Sequence, residues 1–155
     1  MRSLEDLIAA SPVFAGLGQE HLAVIAGCAR NERFPRGARL FAEGEPADRF
    51  YLVRQGGVAL EVHAPGAGAM VIETLGAGEV VGWSWLFAPY RWQFDGRASE
   101  PLAAVGFDGA CLRGKCEADH ELGYQLMLRF AASVIDRLQA TRLQLLDVYG
   151  HAQLG

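Results

Sequence analysis

The sequence predicts a mainly β fold with flanking helices, a sandwich or barrel of short strands followed by one long C-terminal helix. Three observations carry that reading. Between Phe34 and about Phe107 the chain breaks into runs of four to six residues, punctuated by Pro35, Gly37, Gly44, Pro46, Gly56-Gly57, Pro65-Gly66, Gly68, Gly76, Gly78 and Gly82. Closed all-β architectures need turn signals at such spacing. On either side the apolar residues recur at three and four, the helical period. Half of the chain is hydrophobic (51%) against 21% charged, so 155 residues build a real core and disorder is excluded.

The elements follow in order. Ser3 is an N-cap with Asp6 three residues on, opening a short helix with Leu4, Leu7 and Ile8 on one face, and Ser11-Pro12 ends it. Gln19 to Ala29 reads as a second short helix, with Leu22, Ile25, Ala26 and Ala29 at helical spacing. Phe50-Tyr51-Leu52-Val53 is an unbroken apolar run, a strand buried on both faces. Val58, Leu60 and Val62 alternate with Ala59, Glu61 and His63, and Met70, Ile72 and Thr74 answer them after the loop Ala64–Ala69, which makes a hairpin.

The last third is helical. Asp119 is an N-cap, and Leu122, Leu126, Phe130, Val134, Leu138, Thr141, Leu145 and Val148 follow at steps of three or four. Some thirty residues make a rod of about 45 Å, longer than a small β domain needs for its own cover. Leu128, Ile135, Leu143 and Leu146 form a second apolar flank. Two flanks point to a homodimer through the helix around 120–149; a helix folded wholly against its own β domain is the other reading.

Charge and composition exclude several classes. Net charge is −4 and 13 of the 14 basic residues are Arg, with Lys115 the exception, so nothing attracts nucleic acid or anionic membrane in general. No apolar run is long enough to span a bilayer. Glu5 and Asp6 occupy the place where a signal peptide is basic and then apolar, so the expected location is cytoplasmic. Cys28, Cys111 and Cys116 are odd in number and widely spaced. They read as reduced structural thiols, a redox-sensing role being the alternative, and they do not make a metal site.

The stretch Phe34-Pro35-Arg36-Gly37 … Phe41-Ala42-Glu43-Gly44-Glu45 … Tyr51-Leu52-Val53 … Gly56-Gly57 resembles the opening of the cyclic-nucleotide-binding domain, the sensor module of the catabolite activator protein and its relatives. The resemblance continues through Gly78-Glu79-Val80-Val81-Gly82 to Arg137-Leu138-Gln139-Ala140-Thr141, which looks like the dimer helix of that family. It implies a jelly-roll-like β-roll, a double-stranded β-helix of about eight strands, over 31–108, with helices at 1–30 and 109–150 in a single domain. It also implies a cyclic nucleotide such as cAMP as the only cofactor to consider.

In the family one cassette holds the ligand: Gly-Glu, then small and apolar residues, then an arginine followed by a small residue. Here the cassette is Gly82-Trp83-Ser84-Trp85-Leu86-Phe87-Ala88-Pro89-Tyr90-Arg91-Trp92-Gln93-Phe94-Asp95-Gly96-Arg97-Ala98. Gly82 matches, and Trp83 stands in place of the ribose-binding glutamate. Counting back from Ala98, the arginine's position falls on Trp92, with Arg91 one residue away and so on the opposite face of a strand, unless a bulge or a changed loop length restores it; an inward Arg91 favours a sensor and an outward one a ligand-free module. Glu79 fills a separate turn position, and Thr141 matches the helix position that contacts adenine in relatives. Asp95 and Arg97 are placed to pair locally.

The candidate ligand-binding residues are therefore Gly82, Trp83, Ser84, Trp85, Arg91, Trp92 and Thr141. Trp83, Trp85, Tyr90, Trp92 and Phe94 are five of the six aromatics between positions 83 and 94, and three readings stay open. They fill the empty nucleotide pocket, they line a remodelled pocket in which Arg91 holds an anion, or they still admit a cyclic nucleotide. The four histidines (His21, His63, His120, His151) are scattered and no nucleophile or phosphate-loop motif occurs, so no enzyme is expected and there are no catalytic or metal residues to name. The chain ends at Gly155, and the region from Glu117 to Tyr149 has five acids against three arginines. A DNA-binding helix-turn-helix is not expected in it. A sensor module is one function class; a ligand-free module that recognises another protein is the other.

Overall fold

A computed structural model describes residues 3–154. Two antiparallel four-stranded sheets face each other, in the orders β1-β8-β3-β6 and β2-β7-β4-β5. The strands are β1 (Ala29–Phe34), β2 (Arg39–Phe41), β3 (Arg49–Gln55), β4 (Val58–Ala64), β5 (Gly68–Leu75), β6 (Val80–Val81), β7 (Asp95–Ala98) and β8 (Leu102–Asp108). Helices α1 (Leu4–Ala9) and α2 (Gln19–Gly27) precede them, and α3 (Gly109–Ala118) and α4 (His120–Leu154) follow. The mainly β reading, with eight strands and flanking helices, is what the fold shows.

Local chemistry places the ends. Ser3 Oγ accepts from the Asp6 N–H at 3.1 Å while Asp6 Oδ2 accepts from the Ser3 N–H at 3.2 Å, a reciprocal capping box. Asp119 Oδ1 accepts from the N–H groups of Glu121 and Leu122 and starts α4. Two boundaries differ from expectation. The second helix stops at Gly27, because Ala29 already pairs with Phe107 in the β1–β8 ladder. The last helix continues through Gly150 to Leu154, since one glycine costs only about 1 kcal/mol in a helix interior.

β3 explains its own composition. Phe50 and Leu52 join the core beneath the helices, with Ile8, Phe14, Ile25, Phe107, Leu126 and Phe130. Tyr51 and Val53 join the interior of the roll, with Phe41, Val58, Leu60, Val81 and Ala98. One strand thus serves two cores, so no position on its buried part is polar.

The hairpin forms as expected between β4 and β5, with a bulge at Leu60/Glu61. Its return strand is not an inward answer to the first, however. Met70, Val71 and Ile72 are 50%, 59% and 49% exposed, because β5 is the sheet edge.

The cysteines need a correction. Cys28 and Cys111 form a disulfide and only Cys116 is free. An odd count and a separation of 83 residues hide a pair that the fold brings together: β1 begins beside the end of β8, and α3 follows directly.

α4 divides in two. Leu122, Leu126 and Phe130 are buried in the core beneath the helices, whereas Leu138, Leu143, Leu145, Leu146 and Val148 are exposed.

Candidate functional site

The cassette runs as irregular turns from Gly82 and returns to β7. A short ladder fixes its second half. The Ala47 N–H donates to Tyr90 O at 2.7 Å, the Trp92 N–H to Glu45 O at 3.0 Å, and the Gly44 N–H to Trp92 O at 2.9 Å. Side chains along such an extended segment alternate in direction, and these do. Trp92 turns into the roll and is buried, while Arg91 turns outward and its Nη1 donates to Gly44 O at 2.8 Å.

Trp92 occupies the space over Gly82. It stacks on Phe41 at 3.6 Å between ring centroids, with 6° between the planes. A Cβ on Gly82 would stand 2.5 Å from Trp92 Cη2, and the φ of +102° also favours glycine. Phe41 lies in turn against Gly96 of β7, whose missing side chain admits the ring. An aromatic stack therefore fills the interior of the roll beside the glycine.

Trp83 lies at the boundary between roll and helix. Arg137 of α4 places its guanidinium over the Trp83 ring at 5.1 Å and donates through Nη2 to Val80 O. Glu73 is 4.0 Å away. Burial pushes the Arg137 pKa down, opposed by Glu73 and then Glu79. Cation–π contact becomes stronger when the cation is desolvated, so this pair joins helix to cassette where the resemblance expected a glutamate.

Trp85 is a core residue. It is fully buried, stacked on Phe50 at 4.6 Å and edge-on to Phe130 at 5.3 Å. Thr141 is exposed and donates through Oγ1 to Arg137 O in the preceding turn. Glu79 accepts the Gly76 N–H at 2.7 Å and closes its turn, as expected.

Between cassette and helix is a cavity of about 430 Å³, lined by Trp83, Ser84, Phe87–Pro89, Arg91, Gln93, Ala131, Val134 and Ile135. No carboxylate lines it, and among the described residues Arg91 makes no ion pair. Of the candidates, Trp83, Ser84 and Arg91 meet here; Gly82, Trp85, Trp92 and Thr141 do not line it. The sequence signalled neither Gln93 nor Arg137 as a site residue. Arg137 sits inside the matched helix stretch, but nothing in a linear pattern shows it turning onto a tryptophan.

Asp95 pairs elsewhere than expected. Its Oδ1 accepts the Glu43 N–H at 2.7 Å and its Oδ2 lies 2.9 Å from His63 Nε2, while Arg97 pairs with Glu61 at 3.2 Å. The Glu43 N–H, and less strongly His63, hold the Asp95 carboxyl below its ordinary 3.8, against the opposing effect of burial. A depressed folded pKa gives stability that is full above the unfolded value and lost as pH falls through the folded one. Asp95→Asn is expected to lower stability by about 1.5–3 kcal/mol at pH 7. The deficit should shrink in urea titrations below pH 3.8; a deficit independent of pH would assign the effect to packing.

A family model described as "Cyclic nucleotide-binding domain" matches residues 31–119, more than half of the chain. The "CRP-like cAMP-activated global transcriptional regulator" of Mycobacterium tuberculosis is 27% identical over 145 residues, 94% of this chain and 63% of that protein. The chain thus spans under two thirds of that relative's length. A crystal structure of a protein from Geobacter metallireducens GS-15, named for cyclic nucleotide binding, superposes with a TM-score of 0.79 at 34% identity, covering 89% of this chain and 99% of that one. The catabolite activator protein of Thermus thermophilus shares the fold, with a TM-score of 0.70 at 23% identity over 87% of this chain and 62% of its own. Among the described residues no helix is long and apolar enough to cross a membrane. The chain belongs to the cyclic nucleotide-binding domain family.

Proposed function

We propose that the chain is a non-enzymatic regulatory module that takes a small anionic ligand between its cassette and α4 and works as a cytoplasmic homodimer through the exposed part of α4. The observation that carries this reading is the cassette–helix cavity. Its volume falls in the range of small-molecule sites, its walls are apolar, and it holds one guanidinium with no acid to neutralise it. A flat apolar body with one carboxylate matches that lining. Because α4 supplies one wall, occupancy biases the helix that the dimer would use.

Two other readings have specific support. The Phe41–Trp92 stack over Gly82, and an Arg91 that turns out of the roll, favour a ligand-free module that recognises a protein partner. Family membership and the cAMP-activated relative favour a cyclic nucleotide.

Calorimetric titration with phenylacetate, cyclic AMP and cyclic GMP separates the three. Saturable binding of phenylacetate is expected, weakened about 10- to 100-fold by Arg91→Ala, since a charge-assisted hydrogen bond contributes about 1.5–3 kcal/mol. Thr141→Ala should leave it unchanged. Micromolar binding of a cyclic nucleotide would move the ligand to the family's own site. No heat with any of the three would favour the ligand-free module.

A further inference from the structure

We infer that Cys28–Cys111 is a site of reversible thiol–disulfide exchange, and that α3 carries its state to the cassette. The two cysteines close a loop of 83 residues between the end of α2 and the first turn of α3. A cleft of about 210 Å³ opens on the bond, lined by Gly27, Cys28, Arg30, Arg49, Asp108 and Cys111 among others. Arg30 and Arg49 share the single carboxylate of Glu32, at 3.0 and 2.9 Å, and Asp108 accepts the Cys111 N–H at 2.9 Å. Glu32 and Asp108 balance the two guanidiniums, and the open cleft gives a thiolate, the attacking species in exchange, a path to the bond. Cys28 is buried and Cys111 only partly so, so attack falls on the Cys111 sulfur.

The co-reactant is a low-molecular-weight thiol with its disulfide. A thiolate bonds to Cys111 Sγ, the Cys28–Cys111 bond breaks, and Cys28 leaves as a thiolate that takes a proton. A second thiolate attacks the external sulfur of the mixed disulfide and releases Cys111. The protein disulfide is thereby reduced to two thiols and two external thiols are oxidised to one disulfide; the reverse reaction restores the bond.

Transmission rests on the other side of α3. Arg113, two residues beyond Cys111, donates through Nη1 to Trp85 O at 2.5 Å and lies 4.3 Å from the centre of the Tyr90 ring. It also reaches Asp48 at 3.5 Å, and the Gly109 N–H donates to Asp48 O at 2.7 Å. A Cβ on Gly109 would stand 2.8 Å from Trp85 Cβ, so helix and cassette are in direct contact. The first turn of α3 is therefore held by the disulfide on one side and grips the cassette on the other. Opening the bond removes the covalent restraint and leaves the Asp108 cap and the buried Leu112 to hold the turn.

The test needs no ligand and is independent of the function proposed above. The full chain is equilibrated in mixtures of glutathione and glutathione disulfide, quenched with an alkylating agent and weighed. One alkylation, at Cys116, marks the oxidised form and three mark the reduced form, with both populated across the series. Amide hydrogen exchange over 83–91 is expected to be at least tenfold faster in the reduced form. Arg113→Ala should abolish that difference without changing the alkylation pattern, and Tyr90→Leu serves if Arg113→Ala fails to fold. Three alkylations at every ratio, one alkylation under strong dithiol, or equal exchange in the two forms would each overturn the inference.

Discussion

Trp92→Ala is expected to destabilise the protein by about 3–5 kcal/mol, the range for truncating a fully packed aromatic. Three contacts set that size. The indole stacks on Phe41, lies against the bare face of Gly82, and is 6.5 Å from the ring of Phe94. None of these neighbours collapses easily into the space, since β2, the cassette and β7 are held by their own ladders. The result is a dry cavity beside Gly82. Apolar cavities of this kind bind flat hydrocarbons. Indole at millimolar concentration should therefore raise the melting temperature of Trp92→Ala by more than that of the wild type. A loss below 1 kcal/mol in urea unfolding would mean that the ring does not fill the roll. Trp83→Ala is the comparison: that ring is half-buried at the cavity rim, and a smaller loss is expected.

Much of this architecture is legible because its signals are local. Glycine and proline spacing marks the turns, Ser3 and Asp119 mark helix starts, and β3 announces two-sided burial by lacking any polar residue from Phe50 to Val53. Strand parity gives Trp92 and Arg91 opposite faces unless a bulge intervenes, and the ladder onto Gly44–Ala47 keeps the alternation. What the sequence conceals depends on contacts far apart in the chain. Cys28 and Cys111 meet only because β1 pairs with β8. Arg137 meets Trp83 only because α4 folds back over the cassette. Met70, Ile72 and Thr74 look like an inward face until the strand order makes β5 an edge. The exposed half of the α4 stripe is the same kind of case: periodicity gives an apolar face but not what covers it.

α4 offers the sharpest separation between folding and assembly. Phe130→Ala is expected to cost about 3–5 kcal/mol, because its ring sits edge-on to Phe50 at 5.4 Å and Trp85 at 5.3 Å and also meets Phe14 at 6.3 Å. It is the last fully buried residue among the described residues of the helix. About two turns on, Leu138 is 47% exposed, and about four turns on, Leu145 is 53% exposed. Exposed positions change monomer stability by less than about 0.5 kcal/mol, so Leu138→Glu with Leu145→Glu should leave the intrinsic fold intact. In a dimer joined through this face the same pair of charges is buried without partners, which is prohibitive. The double variant should then sediment as a monomer at concentrations where the wild type is a dimer. Its melting temperature should also lose the dependence on concentration that a dimer requires. Phe130→Ala, by contrast, should melt early at every concentration. If the glutamates leave sedimentation unchanged, the exposed stripe is not a dimer seam, and the apolar face from Leu138 to Val148 belongs to a different partner.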